Sequence, residues 1–65
     1  MTMCLSSAYA VKNGNETLVL EDVKGLVVEQ GTVTLTDLMG YKAVASGVIK
    51  SVDLVKNVVF IEAMD

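Results

Sequence analysis

Residues 32–38 read Thr-Val-Thr-Leu-Thr-Asp-Leu and carry the clearest alternation of polar and apolar side chains in the sequence. A period of two residues is typical of a β-strand with one buried face. We therefore predict that Val33 and Leu35 point into a core and that the threonines of this stretch point outward. Shorter alternating stretches lie on both sides of it in the sequence.

Short stretches rich in β-branched residues fill most of the remaining sequence. The chain contains 12 Val and 5 Thr, which favour strands, and no long stretch has helical periodicity. In the first stretch, the odd-numbered side chains from Leu5 to Val11 lie on one face and the even-numbered ones from Cys4 to Ala10 on the other. The predicted strands cover residues 4–12, 16–20, 23–30, 32–38, 41–50 and 58–62.

Turn signals separate the predicted strands. The strongest is Asn13-Gly14, because both residues tolerate the positive φ angles of a tight hairpin turn. Gly31 predicts a second tight turn, and residues 37–40 and 52–57 predict two further turns. Glu21-Asp22 breaks the alternating pattern, so we predict that a strand ends there.

Two glycines lie inside predicted strands. Gly25 interrupts the alternation and predicts a bulge or sharp bend, and Ser46-Gly47 predicts a bend in the longest strand. Around Gly25, the side chains expected to face inward are those of Val23, Leu26 and Val28.

The number and length of these strands predict an all-β fold. Five to seven short strands in 65 residues are typical of a small barrel, in which closure of the sheet removes exposed edges. We expect a single domain over residues 1–65 with an SH3-like or Sm-like barrel. An OB-fold is disfavoured because it usually has more residues and a helix between strands.

The composition excludes several classes of function. The chain has no His and one Cys, so it has neither a Ser-His-Asp triad nor the four ligands of a structural zinc site. No glycine-rich phosphate loop is present, and we expect that the protein is not an enzyme. The chain has five Lys and no Arg against eight acidic residues, so a nucleic-acid partner is not expected.

The sequence also bears on localisation. No apolar run approaches the ~20 residues that a membrane-spanning helix needs, so a membrane anchor is not expected. The N-terminal residues lack a basic segment followed by an apolar one, so a secretory signal is not expected either. We therefore expect a cytoplasmic protein with a reduced thiol.

Cys4 is the residue with the most distinctive chemistry. Its thiolate would be a soft, strong ligand, and a free terminal amine close by becomes a metal donor when it loses its proton. The backbone nitrogens of Thr2 and Met3 are possible additional donors, and square-planar nitrogen and sulfur ligands suit Ni(II) and Cu(II). The alternative is that Cys4 is a small buried apolar residue.

Other candidate groups have simpler interpretations. Glu21, Asp22, Asp37 and Asp53 could form a carboxylate site, but acidic residues in turns more often hydrogen-bond the local backbone. Methionine thioethers could bind Cu(I), but Met39 and Met64 are expected to be core or surface filler, while Met3 is a weaker candidate near the metal. We expect core positions, and not a base-stacking surface, for the three aromatic residues Tyr9, Tyr41 and Phe60.

Several ordered blocks of the sequence resemble the CooT family of small nickel-binding proteins. They are Met3-Cys4-Leu5-Ser6-Ser7-Ala8-Tyr9, Leu18-Val19-Leu20-Glu21-Asp22-Val23, Val33 to Gly40, and Gly47 to Leu54. The resemblance runs from Met3 to Glu62. It implies a homodimeric small barrel that binds Ni(II), with carbon monoxide dehydrogenase or its maturation proteins as partners. It also implies that Cys4 is the essential ligand, with Met3 in the place of the initiator.

The residues before Met3 depart from the family pattern and leave three forms to consider. If the mature chain begins at Cys4, its amine and thiolate chelate the metal, and two chains on a two-fold axis complete a square. If the chain begins at Thr2, its amine, two amides and the thiolate form a three-nitrogen, one-sulfur set. If Met1 stays, the chelate is less compact.

Three alternatives to a nickel accessory protein stay open from the sequence. The first is a small RNA-binding barrel, which is an analogy of fold. The second is a HypC-type maturation chaperone, which also begins Met-Cys-Leu but usually continues into a Pro-Gly pair, whereas this chain has no Pro. The third is a protein-interaction module in which Cys4 is buried and inert.

Overall fold

The computed structural model describes residues 5–64, which form five strands arranged as a closed barrel. Consecutive strands pair antiparallel, and the first strand pairs with the fifth in parallel to close the ring. This confirms the predicted small all-β barrel, with the lowest of the expected strand numbers. The strands are β1 (Ser6–Lys12), β2 (Asn15–Glu29), β3 (Thr32–Asp37), β4 (Lys42–Asp53) and β5 (Val58–Ala63).

Two tight turns connect the first three strands. Asn13 and Gly14 have φ angles of 53° and 81° and join β1 to β2, as the sequence predicts. Gln30 and Gly31 have φ angles of 28° and 80° and join β2 to β3. Positive φ at both central residues matches the right-handed twist of the strands on either side. The predicted positions of both turns are therefore confirmed.

The strand β2 contradicts the predicted break at Glu21-Asp22. It runs without interruption over Asn15–Glu29, and Asp22, with a φ angle of 54°, marks an irregularity within it. The physical reason is a change of partner: β2 pairs with β1 up to Val23 and with β3 from Val23 onward. A register shift between Val23 and Gly25 confirms the irregularity predicted at Gly25.

The core lies inside the barrel, and among residues 5–64 every buried side chain is apolar. Val33 and Leu35 are fully buried, which confirms the inward face of β3. Leu26 and Val28 pair with Leu35 and Val33, so they share the inward face, but they are 37% and 50% exposed. Their predicted burial is therefore wrong even though their orientation is right. The buried core cluster consists of Ala8, Val23, Val33, Leu35, Val59 and Ile61.

The strand β4 bends where the sequence predicts. Ser46 still pairs with Thr32 of β3, whereas Gly47 pairs with Ala63 of β5. Gly47 has a φ angle of 155° and its amide donates a hydrogen bond to the Gly31 carbonyl at 2.8 Å. The strand continues to Asp53, three residues beyond the predicted end, because its last residues still pair with β5.

The aromatic side chains do not all lie in the core. Tyr9 and Phe60 are cross-strand neighbours with ring centroids 5.9 Å apart, and both are half-buried. Tyr41 is 70% exposed, so the predicted core position of this residue is wrong. It follows the β3–β4 turn rather than lying within a strand, and the inward and outward alternation therefore does not apply to it.

Replacing Leu35 with alanine is expected to lower the free energy of unfolding by about 3 kcal/mol, because the side chain is fully buried and leaves a cavity. Urea denaturation followed by circular dichroism measures this effect. Val55→Ala is the matched control, since Val55 is 92% exposed and its truncation should change stability by less than about 0.5 kcal/mol. Equal midpoints for the two variants would contradict the described core.

Candidate functional site

The predicted metal donors Thr2, Met3 and Cys4 lie outside the residues that the structure describes. The structure does describe where this segment joins the barrel. Ser6 pairs with Val23 of β2, and the Ser7 amide donates a hydrogen bond to the Asn57 carbonyl at 2.9 Å. The start of β1 is thus held from both sides, by β2 and by the turn before β5.

An open cavity of about 150 Å³ lies beside the start of β1. Ser6 forms part of its wall, and Cys4 precedes Ser6 by only two residues. Two residues of extended chain span at most about 7 Å, so the cavity is within reach of the segment that carries the thiol. The complete lining consists of Ser6, Val23, Lys24, Gly25, Leu26 and Val59.

The carboxylates of the described residues are not clustered as a metal site would require. Within residues 5–64, no group of three or more His, Cys, Asp or Glu side chains is placed to hold a metal ion. Asp37 and Asp53 accept backbone hydrogen bonds in turns, which confirms the turn interpretation for both.

The Asp37 carboxylate organises the turn between β3 and β4. Its Oδ1 accepts hydrogen bonds from the amides of Met39 at 2.9 Å and Tyr41 at 2.8 Å. The Leu38 amide donates to the Asp22 carbonyl of β2 at 2.9 Å. An aspartate side chain that accepts hydrogen bonds from the amides just after it stabilises a turn, because those amides have no partner strand. The result is a well-defined turn tied to β2.

The Asp53 carboxylate has the same role in the turn between β4 and β5. Its Oδ1 accepts hydrogen bonds from the amides of Val55 and Lys56, each at 3.0 Å. In both turns the aspartate is followed by a leucine and a second apolar residue, Met39 in one and Val55 in the other. This Asp-Leu-apolar pattern is visible in the sequence, but the exposure of its apolar side chains was not predicted. Met39 and Met64 are 79% and 56% exposed, so of the predicted core or surface positions both have surface ones.

Replacing Asp37 with alanine is expected to destabilise the protein by about 1 kcal/mol, because two turn amides lose their acceptor. Amide hydrogen exchange at Met39 and Tyr41 should also become faster. Asp37→Asn is the matched control, since its side-chain oxygen can still accept both hydrogen bonds. If Asp37→Ala left exchange at these two amides unchanged, the carboxylate would not hold the turn.

The described residues do not assemble a base-stacking surface. Tyr9 and Phe60 form a half-buried pair, whereas Tyr41 lies exposed in a turn. The low expectation of nucleic-acid binding, based on the net charge of −3, stays a prediction. In the described part of the chain, no helix has the length and hydropathy that crossing a membrane requires.

Comparison with known proteins gives a family and a similar solved structure. The family model described as CO dehydrogenase accessory protein CooT matches residues 3–62, a range that includes Cys4. A crystal structure of a Carboxydothermus hydrogenoformans protein assigned as a CooT is similar, with a TM-score of 0.85 and 31% sequence identity. That match covers 95% of this chain and 100% of the other. No curated protein sequence matches this chain.

Proposed function

The chain belongs to the CooT family of CO dehydrogenase accessory proteins, and on that premise we propose that it carries Ni(II) as cargo for this enzyme. The metal binds through the Cys4 thiolate together with backbone nitrogens of the N-terminal residues. The family is described as one of accessory proteins, and the expectation that the chain is not an enzyme is part of the same proposal. The expected cytoplasmic location is part of the same proposal.

The observation that carries the proposal is the position of the only thiol of the chain. Cys4 lies inside the family match and two residues before Ser6, where β1 is held between two neighbouring elements. A firmly attached strand start supports a short chelating segment, because fewer residues must be ordered when the metal binds. The described residues offer no competing cluster of metal ligands.

The donor set favours a metal ion that accepts soft ligands in a square-planar arrangement. A thiolate combined with amine and deprotonated amide nitrogens suits Ni(II) or Cu(II), whereas Mg²⁺ and Ca²⁺ prefer oxygen ligands. In a chain that begins at Thr2, the amine of Thr2, the amides of Met3 and Cys4 and the thiolate supply three nitrogens and one sulfur. Every donor then comes from one chain.

A homodimer is the second part of the proposal. In a chain that begins at Cys4, one copy supplies only one amine nitrogen and one sulfur to the metal. A second copy related by a two-fold axis completes four donors, and such self-complementary contacts are the commonest oligomers. The number of nickel ions per chain therefore depends on which residue carries the free amine.

Titration of defined N-terminal forms with Ni(II) tests both parts. Chains prepared to begin at Met1, Thr2 and Cys4 are compared by calorimetry, sulfur-to-nickel charge-transfer absorption and sedimentation equilibrium. The Thr2 form is expected to bind one ion per chain, the Cys4 form one ion per two chains, and the Met1 form more weakly than either. Absence of the charge-transfer band in all three forms would contradict nickel binding through Cys4.

A further inference from the structure

The turn between β1 and β2 exposes two residues that can react with each other. Asn13 and Gly14 are its central residues, and both are exposed. Lys12 and Asn15 on either side of them pair with each other, so the turn contains no further residue. Within residues 5–64, neither the Asn13 side chain nor the Gly14 amide has a hydrogen-bond partner. Backbone conformation is therefore what limits their reactivity.

The side-chain amide of asparagine is chemically labile, because the backbone nitrogen of the next residue can attack its carbonyl carbon. A glycine in the next position leaves that nitrogen accessible, since glycine has no Cβ. At Gly14, no atom beyond those of its chain neighbours lies within 4 Å of the position that a Cβ would occupy. The pair Asn13-Gly14 thus combines a labile amide with an unobstructed nucleophile.

We propose that Asn13 is a site of spontaneous deamidation and that the conformation of the turn controls its rate. The Gly14 nitrogen bonds to the Asn13 side-chain carbonyl carbon, and the bond from that carbon to the amide nitrogen breaks. The amide nitrogen leaves as ammonia with the proton of the Gly14 nitrogen, and a succinimide ring remains. Water then opens the ring at either carbonyl and leaves aspartate or isoaspartate. No oxidant or reductant takes part.

The folded turn holds the two reacting groups apart. Asn13 has a φ angle of 53°, in the left-handed region, where ψ is about +30 to +60°. At such ψ values the Gly14 nitrogen is rotated away from the Asn13 side chain about the Cα–C bond, so the ring cannot close. Asn13 must first leave this conformation, which requires the hairpin to open locally. The rate of deamidation should therefore follow the fraction of molecules in which the hairpin is open.

The isoaspartate product should prevent the hairpin from closing again. Its backbone runs through the former side chain, which adds a backbone atom to a turn whose length and positive φ angles fit the twist of β1 and β2. The pairs Lys12 with Asn15 and Val11 with Glu16 then lose their register. Aspartate, by contrast, adds only a negative charge and tolerates the left-handed region as asparagine does. The two products should therefore differ in stability.

The other amide side chains of the chain provide internal controls. Gln30 also precedes a glycine in a tight turn, but its longer side chain has to close a larger ring, which is slower. Asn15 and Asn57 are followed by strand residues that carry a Cβ, so the attacking nitrogen is less accessible. Asn13 is therefore expected to react before all three.

Incubation of the purified protein at mildly alkaline pH, with and without guanidinium chloride, tests the proposal. Peptide mapping by mass spectrometry measures deamidation at each amide and separates aspartate from isoaspartate. Deamidation at Asn13 is expected to be at least about 10-fold faster in the unfolded than in the folded protein, because a paired hairpin opens rarely. Asn13→Gly is the matched control, since glycine keeps the positive φ angle but has no amide to lose.

The stability of the two products is measured by urea denaturation. Asn13→Asp is expected to keep the midpoint of the parent protein, whereas the isolated isoaspartyl form should unfold at a lower urea concentration. Equal rates of deamidation in the folded and unfolded protein would overturn control by the turn. Earlier deamidation at Asn15, Gln30 or Asn57 would overturn the assignment to Asn13. An isoaspartyl form with the parent midpoint would overturn the effect on the hairpin. None of these measurements involves nickel, so the inference is independent of the proposed function.

Discussion

Replacing Cys4 with serine is expected to lower the affinity for Ni(II) by at least about 100-fold and to abolish the sulfur-to-nickel charge-transfer band. Cys4 is the only cysteine of the chain, and the change of one atom removes the only soft anionic ligand. Loss of groups that merely support a metal ligand costs 10- to 100-fold, so loss of the ligand itself should cost at least as much. Calorimetric titration and absorption spectroscopy measure both quantities.

The methionine nearest to Cys4 provides the control for this prediction. Met3→Leu removes a thioether but keeps the backbone nitrogens and the thiolate, so the affinity for Ni(II) should stay within about 3-fold of the parent value. The unfolding midpoints of the metal-free variants should match that of the parent. Retention of parent-like nickel affinity by Cys4→Ser would show that the metal binds elsewhere and would end the proposal.

Replacing Gly47 with alanine is expected to remove most of the stability of the protein, at least about 3 kcal/mol. A Cβ atom at this position would overlap the Glu62 carbonyl oxygen and lie 3.0 Å from its carbonyl carbon. These are backbone atoms of the paired strand β5, so they cannot rotate away as a flexible side chain would. Overpacking and a positive φ angle each cost about 1–3 kcal/mol, against roughly 3–10 kcal/mol for a domain of this size.

Two other glycines separate the steric cost from the conformational cost. Gly31→Ala keeps a positive φ angle but meets no atom within 4 Å, so it should cost only about 1 kcal/mol. Gly25→Ala meets the Thr36 Cβ at an ordinary 3.9 Å and should be nearly neutral. Urea denaturation gives the order of the three variants. A midpoint for Gly47→Ala equal to that of Gly31→Ala would show that β5 moves aside freely.

Local patterns predicted those parts of the fold in which neighbouring residues decide the outcome. The alternation around Val33 and Leu35 predicted the buried face of β3, and Asn13-Gly14 predicted a hairpin turn, because both depend on a few adjacent residues. The continuity of β2 was missed. Its irregularity at Asp22 looks like a strand end in the sequence, whereas the structure uses it to pass from β1 to β3.

For the candidate site, too, the sequence predicted one part and only the structure showed the other. The sequence indicated Cys4, because a single thiol in a chain without histidine leaves few alternatives. It did not indicate that Leu54 and Val55 lie exposed in a turn, and it placed Tyr41 in the core, because large apolar and aromatic side chains are more often buried. The hydrogen bonds from Leu38 to Asp22 and from Ser7 to Asn57 join residues 16 and 50 positions apart, and only the folded chain brings them together.

The sequence by itself determined that the fold is all-β, the positions of the tight turns, the family and the single cysteine on which the proposed metal site depends. Each of these follows from the chemistry of single residues or from short-range periodicity. Tertiary structure alone decided that β2 and β4 each pair with two neighbouring strands. It also decided that Leu26 and Tyr41 stay partly or largely exposed, and that two turns lie beside the start of β1. Burial and proximity depend on which distant segments pair, and no local pattern carries that information.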